Sequence, residues 1–388
     1  MKHKFLAKRH WNSGPTILEE FSSKSKKYSD IINLTLGDPD FTTSDIIMKP
    51  AFEDAEKGHT HYTNFFGDEE LREEICNYYK EEFDLDVKQE EVIVCSGASH
   101  ALCSAFESIL DDGDEVIIHS PYYAPYPEMI RLSRGVPVAL ETFEEEGFQI
   151  NFERLESIIT NRTRAIMLNT PNNPTGARFS EETIAKIVEI VKKHDMLLIA
   201  DDIYGLYVFD TDKKQVPIMA LDGMRERTIT VCSASKDYAM TGWRVGYAVA
   251  PDYIIKTMQT VSENNIFTAN SVSQRAYLYA LRNRKAIQEE MYEIFRERVF
   301  KVYDRVCRIK NMKTLKPQGT FYMFINIKET GLSSMEVANK ILEEAHVLVL
   351  PAHTFGPSGE GYIRIACTVD VDKIDEAFDR IEKMDIFS

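Results

Sequence analysis

The chain has 388 residues, 44% of them hydrophobic and 28% charged, an ordinary globular composition with length enough for roughly two domains. Its 62 acidic residues outnumber 46 basic ones, and the net charge of -16 argues against a nucleic-acid partner, since phosphate neutralisation needs a basic surface. No apolar run reaches membrane-spanning length, so no membrane association is expected.

The opening stretch "MKHKFLAKRHWNSG" is basic but lacks the apolar centre of a signal peptide. Cys76, Cys95, Cys103, Cys232, Cys307 and Cys367 are scattered, mostly within apolar runs such as "VIVCSG" and "RIACT". They form neither C-x-x-C pairs nor clusters with histidine. Buried free thiols in a reducing compartment follow, and with them a soluble cytoplasmic protein without a metal site.

From residue 45 to residue 282, short apolar runs alternate with helical patterns. The runs are "EVIVCSG", "DEVIIHSP", "VPVAL", "RAIMLNTP", "MLLIADDIY", "TITVCSAS" and "VGYAVAP", with helices such as "SEETIAKIVEIVKKH" between several of them. Runs that are apolar throughout fit strands buried on both faces. This predicts an α/β fold whose large domain is a doubly wound, mostly parallel seven-stranded sheet. Past residue 282 the order changes. A long charged helix ("KAIQEEMYEIFRERVFKVYDRV") leads to "GTFYMFINI", a helix through "MEVANKILEEAHV", then "VLVLP", "YIRIACT" and a last helix. Residues 283–388, joined by residues 1–44 as a partner or arm, therefore read as a smaller α+β domain.

The chemistry lies in the turns that follow the predicted strands. "CSGASHAL" is a strand, a bend and a helix start, so the backbone of Ala98 and Ser99 sits at a helix N-terminus suited to phosphate. A plain turn with Ser99 as N-cap is the alternative. In "TPNNPTG", a tight loop explains the proline and glycine but not Asn173. Asp201 ends the strongly apolar run "MLLIAD", where an unpaired carboxylate is costly; it calls for a cationic partner, or belongs to a structural salt bridge. Asp202, next along the strand, is expected to face solvent.

The stretch "SASKDYAMTGWRVG" puts Lys236 after two serines and Arg244 in a Gly- and aromatic-rich turn with almost no acidic company. A lone loop lysine is usually solvated, but beside other cations its amine can lose a proton and act as a nucleophile. Ser233, Ser235 and Arg244 are groups that a phosphate monoester would want. All these turns fall at strand C-terminal ends, where α/β sheets bind ligands.

The ordered set "LGDPDF", "YTNFFGDEELREEI", "SGASHAL", "SPYYAPYPEM", "NTPNNPTG", "ADDIY", "SASKDYAMTGWRVGY", "PQGTFYMF" and "YIRIA" resembles the class I/II aminotransferases of fold type I. These enzymes depend on pyridoxal 5'-phosphate, and the resemblance covers nearly the whole chain. It implies an aspartate-aminotransferase-like fold and a transaminase moving an amino group between an L-amino acid and a 2-oxo acid by a ping-pong route. Lys236 would carry the cofactor as an internal aldimine and then serve as general base. Asp201 would pair with the pyridine nitrogen, and Asn173 and Tyr204 would bond the ring's phenolate oxygen. Tyr123, where many relatives have Trp or Phe, would stack on the ring, or else be a core tyrosine. Ala98, Ser99, Ser233 and Arg244 would cup the phosphate, joined by Tyr62 from the neighbouring subunit of a homodimer; without the resemblance Tyr62 is an ordinary loop tyrosine. Gly37 would let backbone approach the substrate carboxylate, which Arg364 would clamp unless it is a buried structural arginine.

The same lysine chemistry serves a carbon–sulfur β-lyase, which is the main alternative, and a racemase. A ligand-sensing regulator on this fold would carry a DNA-binding module before "INLTLGDPDF", where only a short segment stands here. The amino acid used stays open among aspartate, aromatic, alanine and diaminopimelate types, with Arg9, Arg178 and Arg275 unplaced. The aromatic "HYTNFF" is either a sign of large substrates or dimer packing.

Overall fold

A computed structural model describes residues 3–7, 14, 16–211 and 215–387; Arg9 lies outside the described residues. The strands in chain order are β1 (Ile32–Asn33), β2 (Val92–Cys95), β3 (Glu115–Ser120), β4 (Val136–Glu141), β5 (Thr163–Asn169) and β6 (Leu197–Asp201). There follow β7 (Thr228–Ser233), β8 (Gly246–Val249), β9 (Tyr322–Asn326), β10 (Val347–Leu348), β11 (Leu350–Pro351) and β12 (Tyr362–Ala366).

Strands β2 to β8 are the seven apolar runs, and they form one sheet in the order β2-β8-β7-β6-β5-β3-β4. Only β8 runs against its neighbours β2 and β7; the remaining pairs are parallel. The runs are continuously apolar because both faces are covered. Ile118, Met167 and Ile199 pack on one side with Ala101, Leu102 and Ile254. Their neighbours Ile117, Ile166 and Leu198 pack on the other side with Ile187 and Val191. The helix Glu181–Lys193 shows the local logic: Ser180 accepts from Thr183 N–H at 3.0 Å as N-cap, two glutamates open the first turn and two lysines close the last.

The remaining strands make a second layer. β12 pairs antiparallel with β11 and β9, and β1 pairs parallel with β10. Phe21, Ile32 and Leu34 share one core with Phe295, Val299, Phe321 and Phe378, which buries the N-terminal segment against the C-terminal third of the chain. The run "VLVLP" is split between partners, Val347–Leu348 on β1 and Leu350–Pro351 on β12. Cys307 is exposed just past the long helix Arg284–Val306, so the expectation of buried thiols fails there; all six cysteines are unpaired.

Candidate active site

The strand order explains why Lys236 and Arg244 come to one place. Because β7 and β8 are antiparallel neighbours, residues 234–245 need only turn back on themselves, and both ends of that link stay at one edge of the sheet. At the same edge end β2, β5 and β6, so the turns after them meet in a cavity of about 540 Å³. Gly37, Ala98, Ser99, Tyr123, Asn173, Asp201, Tyr204, Ser233, Lys236, Arg244 and Arg364 all line it. Tyr62 does not. It is 79% exposed and packs edge-on against Phe267, 4.6 Å between centroids, beside a separate groove.

Lys236 stands on the short helix Ala234–Asp237 and donates from Nζ to the Gly37 carbonyl, while its own carbonyl accepts from Tyr207 Oη at 2.9 Å. Gly37 is forced to be glycine: a Cβ there would lie 1.6 Å from Tyr322 Oη. Asp201 is buried at the end of β6 and takes a hydrogen bond from Tyr126 Oη at 2.5 Å and one from Ile203 N–H at 3.4 Å. Burial pushes its carboxyl up to about 6, with the two hydrogen bonds pulling the other way. No cation among the described residues pairs with it. Asn169 holds this floor together, donating from Nδ2 to the Asp201 carbonyl at 2.9 Å and accepting from Asn173 N–H at 2.9 Å.

Arg364 lies on β12, buried, with Nη1 donating to Asn173 Oδ1 at 3.0 Å and Nη2 to the Thr35 carbonyl. Its guanidinium rests 4.4 Å from the Tyr322 ring centroid and 4.9 Å from that of Phe355, and its Nε has no partner. No acid among the described residues pairs with it, and burial holds it below the ordinary arginine range. Across the cavity, the helix Ala98–Ile109 starts at Gly97 with φ 81° and no side-chain cap, leaving first-turn N–H groups turned toward the site. Arg244, itself at φ 53°, reaches over Gly97, where a Cβ would come within 2.7 Å of Nη2. Ser233 Oγ and Ser235 Oγ are 2.8 Å apart beside it. This rim is a cup of donors with no carboxylate partner among the described residues, the arrangement that receives a dianionic phosphate.

Ser235, named with Ser233 and Arg244 from the sequence, also lines the cavity; Tyr126, Tyr322 and Asn169 belong to it too and were not singled out. All three sit inside quoted motifs, but a tyrosine or an asparagine there carries no spacing signal that separates a site residue from a core one. Arg178 and Arg275 do not line the cavity: the first pairs with Asp210 at 3.0 Å, the second with Asp54 at 2.7 Å and Glu70 at 3.1 Å. Asp202 does turn away from Asp201, but not into solvent. It is half-buried in a second cavity, because helices cover that side of the sheet edge.

The family model "Aminotransferase class I and II" matches residues 29–381. Aromatic-amino-acid aminotransferase 2 of Thermococcus litoralis is 36% identical over 95% of this chain and 95% of its own. Aspartate aminotransferase of Bacillus subtilis is 36% identical over 97% of this chain and 98% of its own. Among solved structures, Thermus thermophilus aspartate aminotransferase with maleate superposes with a TM-score of 0.92 at 33% identity, covering 98% of this chain and 100% of that one. The chain belongs to the class I and II aminotransferases. It is a transaminase, of the kind that exchanges amino groups between amino acids and 2-oxo acids. None of these observations favours the carbon–sulfur lyase.

Proposed function

We propose that this transaminase works with pyridoxal 5'-phosphate bound in the 540 Å³ cavity, covalently held by Lys236. The carrying observation is that one cavity receives the Lys236 amine, the buried Asp201 carboxylate and the buried Arg364 guanidinium from three separate elements. The donor set fits the cofactor. Asp201 lacks a cation that a protonated ring nitrogen supplies, and the uncapped helix start with Ser233 and Arg244 suits the phosphate. When bound, the cofactor supplies the electron sink for the bond broken at the substrate Cα.

The chain's residues do the rest. Arg364 binds the substrate α-carboxylate through its planar fork, and Gly37 leaves room for that group. Asp201 keeps the ring nitrogen protonated, held in place by Tyr126. Asn173 and Tyr204 would donate to the ring's phenolic oxygen, and Tyr123 would hold the ring by its face. Lys236 Nζ would serve as general base at the substrate Cα, passing the proton it takes to the carbon that the cofactor presents beside it. One 2-oxo acid leaves and a second enters, which gives ping-pong kinetics.

Three cations line the cavity among the described residues: Lys236, Arg244 and Arg364. Each has a task, and the wall left over includes Ile17, Leu18, Leu350 and Phe355. This supports an apolar or aromatic amino acid over a dicarboxylic one. We further read the protein as a cytoplasmic homodimer in which Tyr62 reaches the partner's phosphate cup. In support, Tyr62, Phe65 and Phe267 form an exposed aromatic patch, and the cysteines are unpaired. The division into a cofactor domain over 45–282 and a smaller domain of 1–44 with 283–388 is part of the same reading, supported by the shared core of Phe21 with Phe378.

Borohydride reduction of the cofactor-loaded protein followed by peptide mapping tests the proposal. Label on position 236 supports it; label elsewhere, or none, overturns it.

A further inference from the structure

Asp202 follows Asp201, Asp237 follows Lys236, and neither lines the first cavity. Both line a second one of about 470 Å³, walled by Tyr79, Tyr238, Tyr247 and Tyr277. The volume is that of an ordinary small-molecule site. Neither carboxylate pairs with a cation among the described residues, and Asp237 Oδ1 is shut off from solvent with no hydrogen-bond partner. An uncompensated carboxylate in such a place is costly. Burial pushes the Asp202 carboxyl up to about 7 and that of Asp237 up to about 8.

The cavity's own positive charge does not answer them. Lys285, the one cation of the wall among the described residues, is exposed on the long helix one turn from Glu289, which also lines the cavity. The neighbouring Arg284 is committed to Glu82 at 2.9 Å. Two carboxylates without cations in the wall of one aromatic cavity are surroundings that recognise an alkylammonium ion, by charge and by the negative faces of the rings. A metal ion fits less well, since no group of three metal-binding side chains occurs among the described residues.

We propose that this second cavity binds a small organic ammonium ion, held by Asp202 and Asp237 against the tyrosine rings. The site does not rest on the cofactor reading: Asp202, Asp237 and the four tyrosines have no part there, although Ser233 lines both cavities. Its occupant lies one residue from both Asp201 and Lys236, which gives it a short route to influence them.

Tetramethylammonium is the probe, because it cannot react with pyridoxal phosphate. It is titrated calorimetrically into the full-length protein, with and without the cofactor, in sodium chloride at mildly alkaline pH. The expected result is saturable one-to-one binding in both forms, weakened at least about tenfold by Asp237→Asn, which removes a charge without changing shape. The second variant is Gly205→Leu. Gly205 lines this cavity, and a Cβ there meets only the Asp202 carbonyl at an ordinary 3.4 Å, so a larger side chain fills the space with both carboxylates kept. It is expected to weaken binding as much. Absence of saturable heat up to about 10 mM, or unchanged affinity in either folded variant, overturns the site.

Discussion

The Tyr126 hydroxyl donates to Asp201 Oδ2 at 2.5 Å across a separation of 75 residues, joining the helix Tyr126–Leu132 to the end of β6. This hydrogen bond favours the ionised carboxylate, against the burial that raises it. Tyr126→Phe removes the favourable contact and leaves the burial. The acid limb of kcat against pH is then expected to move upward, and kcat to fall by about tenfold. A pH profile superposable on that of the parent enzyme would end this account of Tyr126.

Arg364 has no acidic partner among the described residues and an unsatisfied Nε, so its guanidinium is available to an arriving carboxylate. Arg364→Leu is expected to raise KM for the amino acid and for the oxo acid alike, with a loss of about 3 kcal/mol in kcat/KM. Arg364→Lys keeps the charge without the fork and should recover only part of this. Steady-state kinetics with both substrates varied decides it; a change confined to kcat contradicts the carboxylate role.

Gly37→Ala drives a methyl group to within 1.6 Å of Tyr322 Oη and 2.6 Å of its Cζ. The strain is expected to cost about 2 kcal/mol or more of stability, read as a lower urea midpoint. The double variant Gly37→Ala with Tyr322→Ala relieves the clash and should regain part of that midpoint. If the double variant is no more stable than the sum of the single changes, the clash is not the cause.

The raised Asp201 carboxyl also predicts a pH-dependent stability. Its folded value of about 6 stands above the ordinary aspartate value of 3.8, so the folded state holds the proton more tightly than the unfolded chain. Keeping the group charged therefore costs nothing below pH 3.8, grows through the window between, and is complete above about pH 6. In the cofactor-free protein, Asp201→Asn should add on the order of 3 kcal/mol at pH 8 and little near pH 4, while abolishing turnover. Denaturation at the two pH values measures it; an equal effect at both contradicts the linkage.

With its three cations assigned, the cavity has none left for a side-chain carboxylate among the described residues. Phenylalanine or tyrosine is expected to exceed aspartate in kcat/KM by at least about tenfold, with 2-oxoglutarate or pyruvate tried as acceptor. A matched panel of amino donors measures it. Preference for aspartate would locate a further cation outside the described wall.

Several elements were legible because their cause is local. The seven strands could be read from runs such as "VIIHS" and "LLIAD", since burial on both faces demands apolar residues at every position. The turn residues at strand ends stood out for the same reason: a lysine, an aspartate or an asparagine next to such a run needs an explanation. Tyr126 and Tyr322 gave no such signal, because a tyrosine suits a core equally well. Asp202 misled, since alternation along a strand says which way a side chain turns but not what covers that side.

The amino-acid order by itself determined which segments become strands and helices and which polar groups sit at their ends, because periodicity, capping and turn chemistry act over a few residues. Only the tertiary structure decided that Lys236 meets the Gly37 carbonyl and that Arg364 meets Asn173, pairs separated by 199 and 191 residues. It likewise decided that Asp202 and Asp237 share a cavity. Those meetings depend on strand order and on how two cores pack, and no local pattern encodes either.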